Sequence, residues 1–452
     1  MVLEGLLPAS ARAFSAERNR RAVCGAAVAA LAVIAMAACP VRAQAAEEWW
    51  QGFGFGYNDS PKQEQKREEI PQNDLRTDNM PWRSDEMLMS IEKTMGVYQR
   101  IVSAGGWPEI PGNRSMRPGE DDERVPALRK RLTVTGDLKG GYSDSYNYDS
   151  DVVEGVRRFQ ARHGLRESGR VDRPTLAALN VTAQGRLDQL RLNYQRVSEL
   201  LQQQVEQRYV LVNVPAFQLE AVDNYTVEQR HRVIVGRPGR DTPTLRATIK
   251  AMNFFPYWRV PDSVAKLDLI PKLQKEPQYL AQEKIRVYQD HFNGLELDSS
   301  QIDWTQADPQ KIKFKQDPGE QNALGLVRLD MPNSEGVYMH DTPMKPLFAQ
   351  ASRPFSAGCV RVQGVFELAE WLARYEPGWE QPGRVQEVLA GGQALDLNLG
   401  RPVTVFFTYI TAWADQNGRA QFRADIYNRD GHQALSEVSD PDAPPPQAGL
   451  AP

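Results

Sequence analysis

From Ser84 onward the chain falls into a helical rhythm. Met87, Leu88, Ile91, Met95, Tyr98 and Val102 recur at three- and four-residue steps behind Ser84 and Asp85, a pair suited to an N-cap, and the run stops at Gly105-Gly106. Leu187, Leu190, Tyr194, Val197 and Leu201 repeat the pattern. Residues 84–120 and 181–206 are therefore expected to form a helical scaffold in which each helix has one face to bury. Between them, residues 121–180 carry three shorter helical patterns: Val125, Leu128 and Leu132; Val152, Val153, Val156 and Phe159; and Thr175, Leu176 and Leu179, the last opened by Asp172 and Pro174.

At Tyr209 the pattern changes to strands. Tyr209–Val214, Gln218–Val222 and Arg232–Gly236 are β-rich runs, the first two separated by a turn containing Pro215. An aromatic cluster from Asn253 to Pro261, with Tyr257 and Trp258 at its centre, closes a further strand. Residues 262–324 then become charged and proline-punctuated, with short helical pieces at 263–268 and 279–284. A break of that length inside a β domain predicts an inserted subdomain rather than a loop. Val365–Tyr375 reads as a helix, Pro402–Ile410 as a buried strand, and Asn417-Gly418 as the turn of a final hairpin. The class is an α+β multidomain chain, with residues 207–430 as its largest unit.

Composition adds limits. With 452 residues and 41% hydrophobic content the chain has material for two or three cores. A net charge of −4 and no long Lys/Arg run in the folded region give no electrostatic case for nucleic acid. Arg18-Asn19-Arg20-Arg21, the apolar run Ala22–Ala38 and Ala43-Gln44-Ala45 make residues 1–45 a secretory signal peptide, which implies a periplasmic protein; an uncleaved inner-membrane anchor is the alternative. Met36-Ala37-Ala38-Cys39 is only a poor lipoprotein box. Residues 46–83 are polar without a sustained period and read as disordered or loosely docked, as does the proline-rich tail 431–452.

Cleavage after Ala45 removes Cys24 and Cys39 and leaves Cys359 alone. A single cysteine in an oxidising compartment cannot form an internal disulfide, so its presence favours chemistry. His340 lies a short loop upstream, and a thiol needs such a base to become a nucleophile near neutral pH. Gly358, just before the cysteine, permits a tight turn that would aim the Gly358 and Cys359 N–H groups at an oxyanion. A buried, inert cysteine is the competing reading.

His340, followed by Ser356-Ala357-Gly358-Cys359-Val360-Arg361, resembles the signature of the L,D-transpeptidases, the YkuD-type domain that cross-links bacterial peptidoglycan. The resemblance implies a mainly-β catalytic domain, with Cys359 as nucleophile, His340 as base and Asp341 orienting the imidazole through its backbone carbonyl. Asp341 stands where Gly or Ser is frequent, so its carboxylate could instead raise the His340 pKa. Arg361, Ser356 and Tyr338 become candidates for holding substrate, and Tyr257 and Trp258 for lining the groove. In longer, YcbB-like members an insertion such as 262–324 caps the cleft. Val156–Leu165 with Gly169–Asn180 resembles the three-helix peptidoglycan-binding module, within which His163 reads as a helix C-terminal residue favoured by the dipole. These resemblances imply a monomeric enzyme that needs no cofactor or metal and meets peptidoglycan stem peptides and glycan strands. Hydrolysis in place of transfer (an L,D-carboxypeptidase or endopeptidase) and a non-catalytic wall-binding scaffold are the alternatives.

Overall fold

The computed structural model describes residues 74–140, 143–204 and 207–431. The expected export signal, the polar leader as far as residue 73 and the tail from residue 432 lie outside the described residues.

Two long helices, α1 (Asp85–Ser103) and α5 (Ala183–Gln202), frame a small helical module. Ser84 caps α1 by accepting the Met87 N–H, and Thr182 caps α5 by accepting the Gly185 N–H. The module between them contains α2 (Val125–Val134), α3 (Ser150–Arg162) and α4 (Arg173–Asn180). Val125, Leu128, Leu132, Val152, Val156, Phe159, Leu176 and Leu179 meet in its core, as the helical spacing requires. Asp149 and Asp172 cap α3 and α4.

The large unit is built on one sheet of order β11-β3-β12-β10-β9-β4-β13-β1-β2, and β2 also pairs with β3, so the sheet closes on itself. Its strands are β1 (Arg208–Asn213), β2 (Gln218–Asp223), β3 (Thr226–Gly236), β4 (Leu245–Phe254), β9 (Val327–Asp330), β10 (Met339–His340), β11 (Pro354–Ser356), β12 (Val360–Val362) and β13 (Leu395–Thr408). β1 runs parallel to β13 and antiparallel to β2. Its near-continuous apolar run has a physical reason: Val210 and Val212 face the interior of the sheet, whereas Tyr209 and Leu211 face outward beneath α1 and α5. The final hairpin, β14 (Ala412–Ala414) with β15 (Ala420–Phe422), contributes Trp413 and Phe422 to the same helical layer.

Three expectations change. Residues 74–83 are not a loose leader: Trp82 is fully buried, its backbone N–H donates to the Glu220 carboxylate at 2.8 Å, and Asp74 is ion-paired with Arg232 and Arg353. The segment straps down because burying Trp82 and neutralising buried arginines outweighs its polar composition. Residues 262–324 hold more than short helices. β5 (Trp258–Arg259), β6 (Ile285–Gln289), β7 (Glu296–Leu297) and β8 (Ile312–Gln316) form a separate sheet of order β5-β8-β6-β7 around Val287 and Phe314, so the inserted unit begins at the aromatic cluster itself. His163 is indeed the C-cap of α3, but no charge–dipole attraction holds it there. It is buried between Phe159 (ring centroids 3.7 Å apart) and Phe422 (5.4 Å), and burial beside Arg162 and Arg186 pushes its pKa well below the usual imidazole value. The neutral ring bonds the Phe159 carbonyl through Nδ1 at 2.7 Å and joins the helical module to the hairpin of the β unit.

Candidate active site

β10 sits between β9 (Val327–Asp330) and β12, with His340 beside Arg361 and Met339 beside Val360. Side chains alternate along a strand, so Met339, Val360 and Val362 enter the core while Tyr338, His340, Cys359 and Arg361 share the opposite face. Residues far apart in the sequence are brought together in this way by two short parallel strands.

The imidazole is fixed from behind. His340 Nδ1 lies 2.5 Å from the Asp341 backbone carbonyl, which can only accept, so Nδ1 carries the proton and Nε2 is left as the basic nitrogen. The Asp341 carboxylate turns elsewhere, accepting the Leu326 N–H at 3.0 Å and pairing with Lys345. Gly325 makes room for it: a Cβ there would lie 2.3 Å from an Asp341 carboxylate oxygen. Of the two roles open to Asp341, the geometry therefore supports the carbonyl. Burial, with Arg361 beside it, lowers the His340 pKa to about 3, against the opposing pull of the Asp341 carbonyl.

Cys359 is half-buried and unpaired. Burial pushes its thiol pKa up, while hydrogen bonding by Tyr338 and the charge of Arg361 pull the other way. The Tyr338 hydroxyl also meets the side chain of Trp258, and the Tyr338 and His340 rings pack edge to face at 5.6 Å. Trp258 belongs to the inserted sheet, so the insertion touches the thiol through one tyrosine. Arg361 has its pKa lowered to about 10 by burial, and its Nε and Nη1 have no hydrogen-bond partner among the described residues. A buried guanidinium with open donors suits a carboxylate or a developing oxyanion.

The remaining candidates separate. Ser356 is buried and cannot reach substrate: its Oγ accepts the Gly358 N–H at 3.2 Å and donates to the Cys359 carbonyl, so it braces the turn. Gly358, at φ 118°, makes the turn possible, but its N–H is already committed to Ser356, which corrects its expected share in the oxyanion hole. The Cys359 N–H has no partner among the described residues. Tyr257 is 49% exposed, with the Lys315 ammonium 5.4 Å from its ring centroid, and so lies on the insertion's surface. Among the described residues no group of His, Cys, Asp and Glu could hold a metal ion, and no helix is long and apolar enough to cross a membrane. Thr242, whose hydroxyl donates to the Gly358 carbonyl, Tyr427, whose hydroxyl accepts the Thr242 N–H, and Asp74, paired with Arg353, escaped the sequence reading, because a hydroxyl or carboxylate that acts only through distant partners leaves no local pattern.

Residues 207–405 match the family of L,D-transpeptidase catalytic domains called YkuD. This chain carries an L,D-transpeptidase catalytic domain. Residues 121–179 match the family described as "Putative peptidoglycan binding domain", so a helical region with that module precedes a mainly-β YkuD domain. A Haemophilus influenzae protein named "Putative L,D-transpeptidase" is 32% identical over 231 residues, 51% of this chain and 46% of that protein. The chain thus matches about half the length of this relative. Similar solved structures include an L,D-transpeptidase from Stackebrandtia nassauensis (14% identity, TM-score 0.24, 66% of this chain and 98% of that one) and another from Mycobacterium smegmatis (12%, 0.21, 45% and 58%).

Proposed function

We propose that this protein transfers acyl groups between peptidoglycan stem peptides, forming 3-3 cross-links through a thioester on Cys359. One observation carries the reading: on the face that holds the Cys359 thiol, the His340 ring is locked by the Asp341 carbonyl with Nε2 free to take a proton. The raised thiol pKa and lowered imidazole pKa disfavour a resting ion pair, so the proton moves as sulfur attacks. Cys359 adds to the carbonyl of the third residue of a donor tetrapeptide while His340 takes the thiol proton. The tetrahedral oxyanion is held by the Cys359 N–H, and the open Arg361 donors receive a donor carboxylate. Collapse expels the terminal D-alanine, whose nitrogen takes the proton from His340. A diaminopimelate side-chain amine then attacks the thioester, loses its proton to His340, and the thiol is restored.

The helical module would keep the site close to glycan strands, and export to the periplasm, with or without retention of the N-terminal segment as an anchor, would place it there. The test is to incubate the purified chain with stem tetrapeptides and follow the products by mass spectrometry. Expected are a Cys359 adduct lacking D-alanine and a cross-linked dimer. Hydrolysed tripeptide alone would make the protein an L,D-carboxypeptidase, and no adduct at all would make it a scaffold.

A further inference from the structure

The turn that presents Cys359 is held by a hydroxyl from another part of the chain. Thr242, fully buried on the loop between β3 and β4, donates its hydroxyl proton to the Gly358 carbonyl at 2.8 Å. The same oxygen accepts the Gly236 N–H at 2.8 Å, which leaves its one proton for Gly358 and fixes the direction of the bond. Thr242 is itself held. Its N–H donates to the Tyr427 hydroxyl at 3.2 Å, and that hydroxyl donates to the Gly236 carbonyl.

The Gly358 carbonyl and the Cys359 N–H belong to one planar trans peptide and therefore point in opposite directions. Whatever fixes the carbonyl fixes the N–H. Glycine at 358 has no Cβ to resist rotation of that peptide, so the restraint must come from outside the turn. Ser356 braces the two neighbouring peptide units, through the Gly358 N–H and the Cys359 carbonyl, and leaves the central one to Thr242.

We propose that Thr242 is a positioning residue for the oxyanion: by holding the Gly358 carbonyl it aims the Cys359 N–H at the substrate. The proposal rests on the acyl-enzyme reading above. It predicts a selective defect, because only a reaction that passes through an oxyanion needs the aimed N–H. In acylation by a carbapenem, sulfur adds to the lactam carbonyl, an oxyanion forms, and the C–N bond opens as nitrogen takes the proton. In alkylation by iodoacetamide, the thiolate displaces iodide and no oxyanion appears.

Both rates are measured on the full chain for wild type, Thr242→Val and Thr242→Ser. The valine variant is expected to acylate about 10- to 100-fold more slowly, somewhat less than loss of a whole oxyanion donor. Its alkylation rate is expected to stay within about twofold of wild type, and Thr242→Ser, which keeps the hydroxyl, to recover most of the acylation. Thr242→Ala gives the same comparison if the valine variant does not fold. Unchanged acylation in the valine variant, or in the alanine variant that replaces it, overturns the proposal, and so does a parallel loss of alkylation, which would mark a general disturbance of the turn. A wild-type protein that is not acylated at all would overturn the acyl-enzyme reading, and this inference with it.

Discussion

The fully buried guanidinium of Arg353 is neutralised by Asp74, whose carboxylate lies 2.6 Å away at the start of the described chain. Arg353 also donates to the carbonyls of Phe217, Val233 and Gln350, and it immediately precedes β11 (Pro354–Ser356), the strand that leads into the cysteine turn. The strap before α1 is thus part of the frame on which Cys359 is mounted. Asp74→Asn removes the charge and leaves a buried cation. The expected cost is about 3 kcal/mol, measured as a lower urea midpoint with an unchanged slope. A loss under about 0.5 kcal/mol, the size of an ordinary surface change, would count against the role.

The thiol and imidazole should titrate as a neutral pair. His340 stays uncharged down to about pH 3, and the Cys359 pKa lies above the ordinary thiol value. Iodoacetamide alkylation should therefore climb steadily with rising pH through the alkaline range, with no plateau near neutrality. His340→Ala should slow β-lactam acylation by about 10² to 10⁴ through loss of the general base. A flat alkylation rate from pH 6 upward, the mark of a preformed ion pair at about neutral pH, would contradict this picture.

Tyr338 links the insertion to Cys359. Its hydroxyl pulls the thiol pKa down, so Tyr338→Phe should move the ultraviolet thiolate titration of Cys359 to still higher pH. Trp258→Phe removes the indole partner of that hydroxyl and should shift the titration by less, if at all. A Tyr338→Phe titration that coincides with wild type would show that the hydroxyl does not act on the sulfur.

His163 gives the stability a pH dependence. Its folded pKa is depressed, while in the unfolded chain it takes the ordinary value near 6.5. As pH falls through about 6.5 the unfolded state binds a proton that the folded state refuses, so stability is present above that pH and lost below it. His340 adds the same sign. His163→Phe keeps an aromatic ring between Phe159 and Phe422, and the Phe159 carbonyl still receives the His163-position backbone N–H. The fall in melting temperature between pH 7.5 and pH 5 should be smaller in the variant. Parallel curves for the two proteins would remove His163 from the account.

The helical periods, their caps and the order of modules were legible in the sequence because each is set within a few residues: Ser84 and Asp172 cap the helices they precede, and Val125, Leu128 and Leu132 mark one face of about two helical turns. Cys359 and His340 stood out as candidates for a related reason, since a Cys and a His flanking one loop carry a recognisable pattern. What each residue does was decided by tertiary partners. Asp341 could have offered a charge or a carbonyl, and only the packing of Gly325, Leu326 and Lys345 around its carboxylate leaves the carbonyl for His340. Ser356 looked like a substrate contact until its hydroxyl was seen closed within the turn. The strap at 74–83 looked polar because its carboxylates meet their counterions at Arg230 and Arg232 on strand β3 and at Arg353, far along the chain. Short-range pattern fixes which elements form, because capping and amphipathic burial are local. Charge neutralisation and the aim of a peptide N–H depend on groups brought together by folding, so only the three-dimensional structure could assign them.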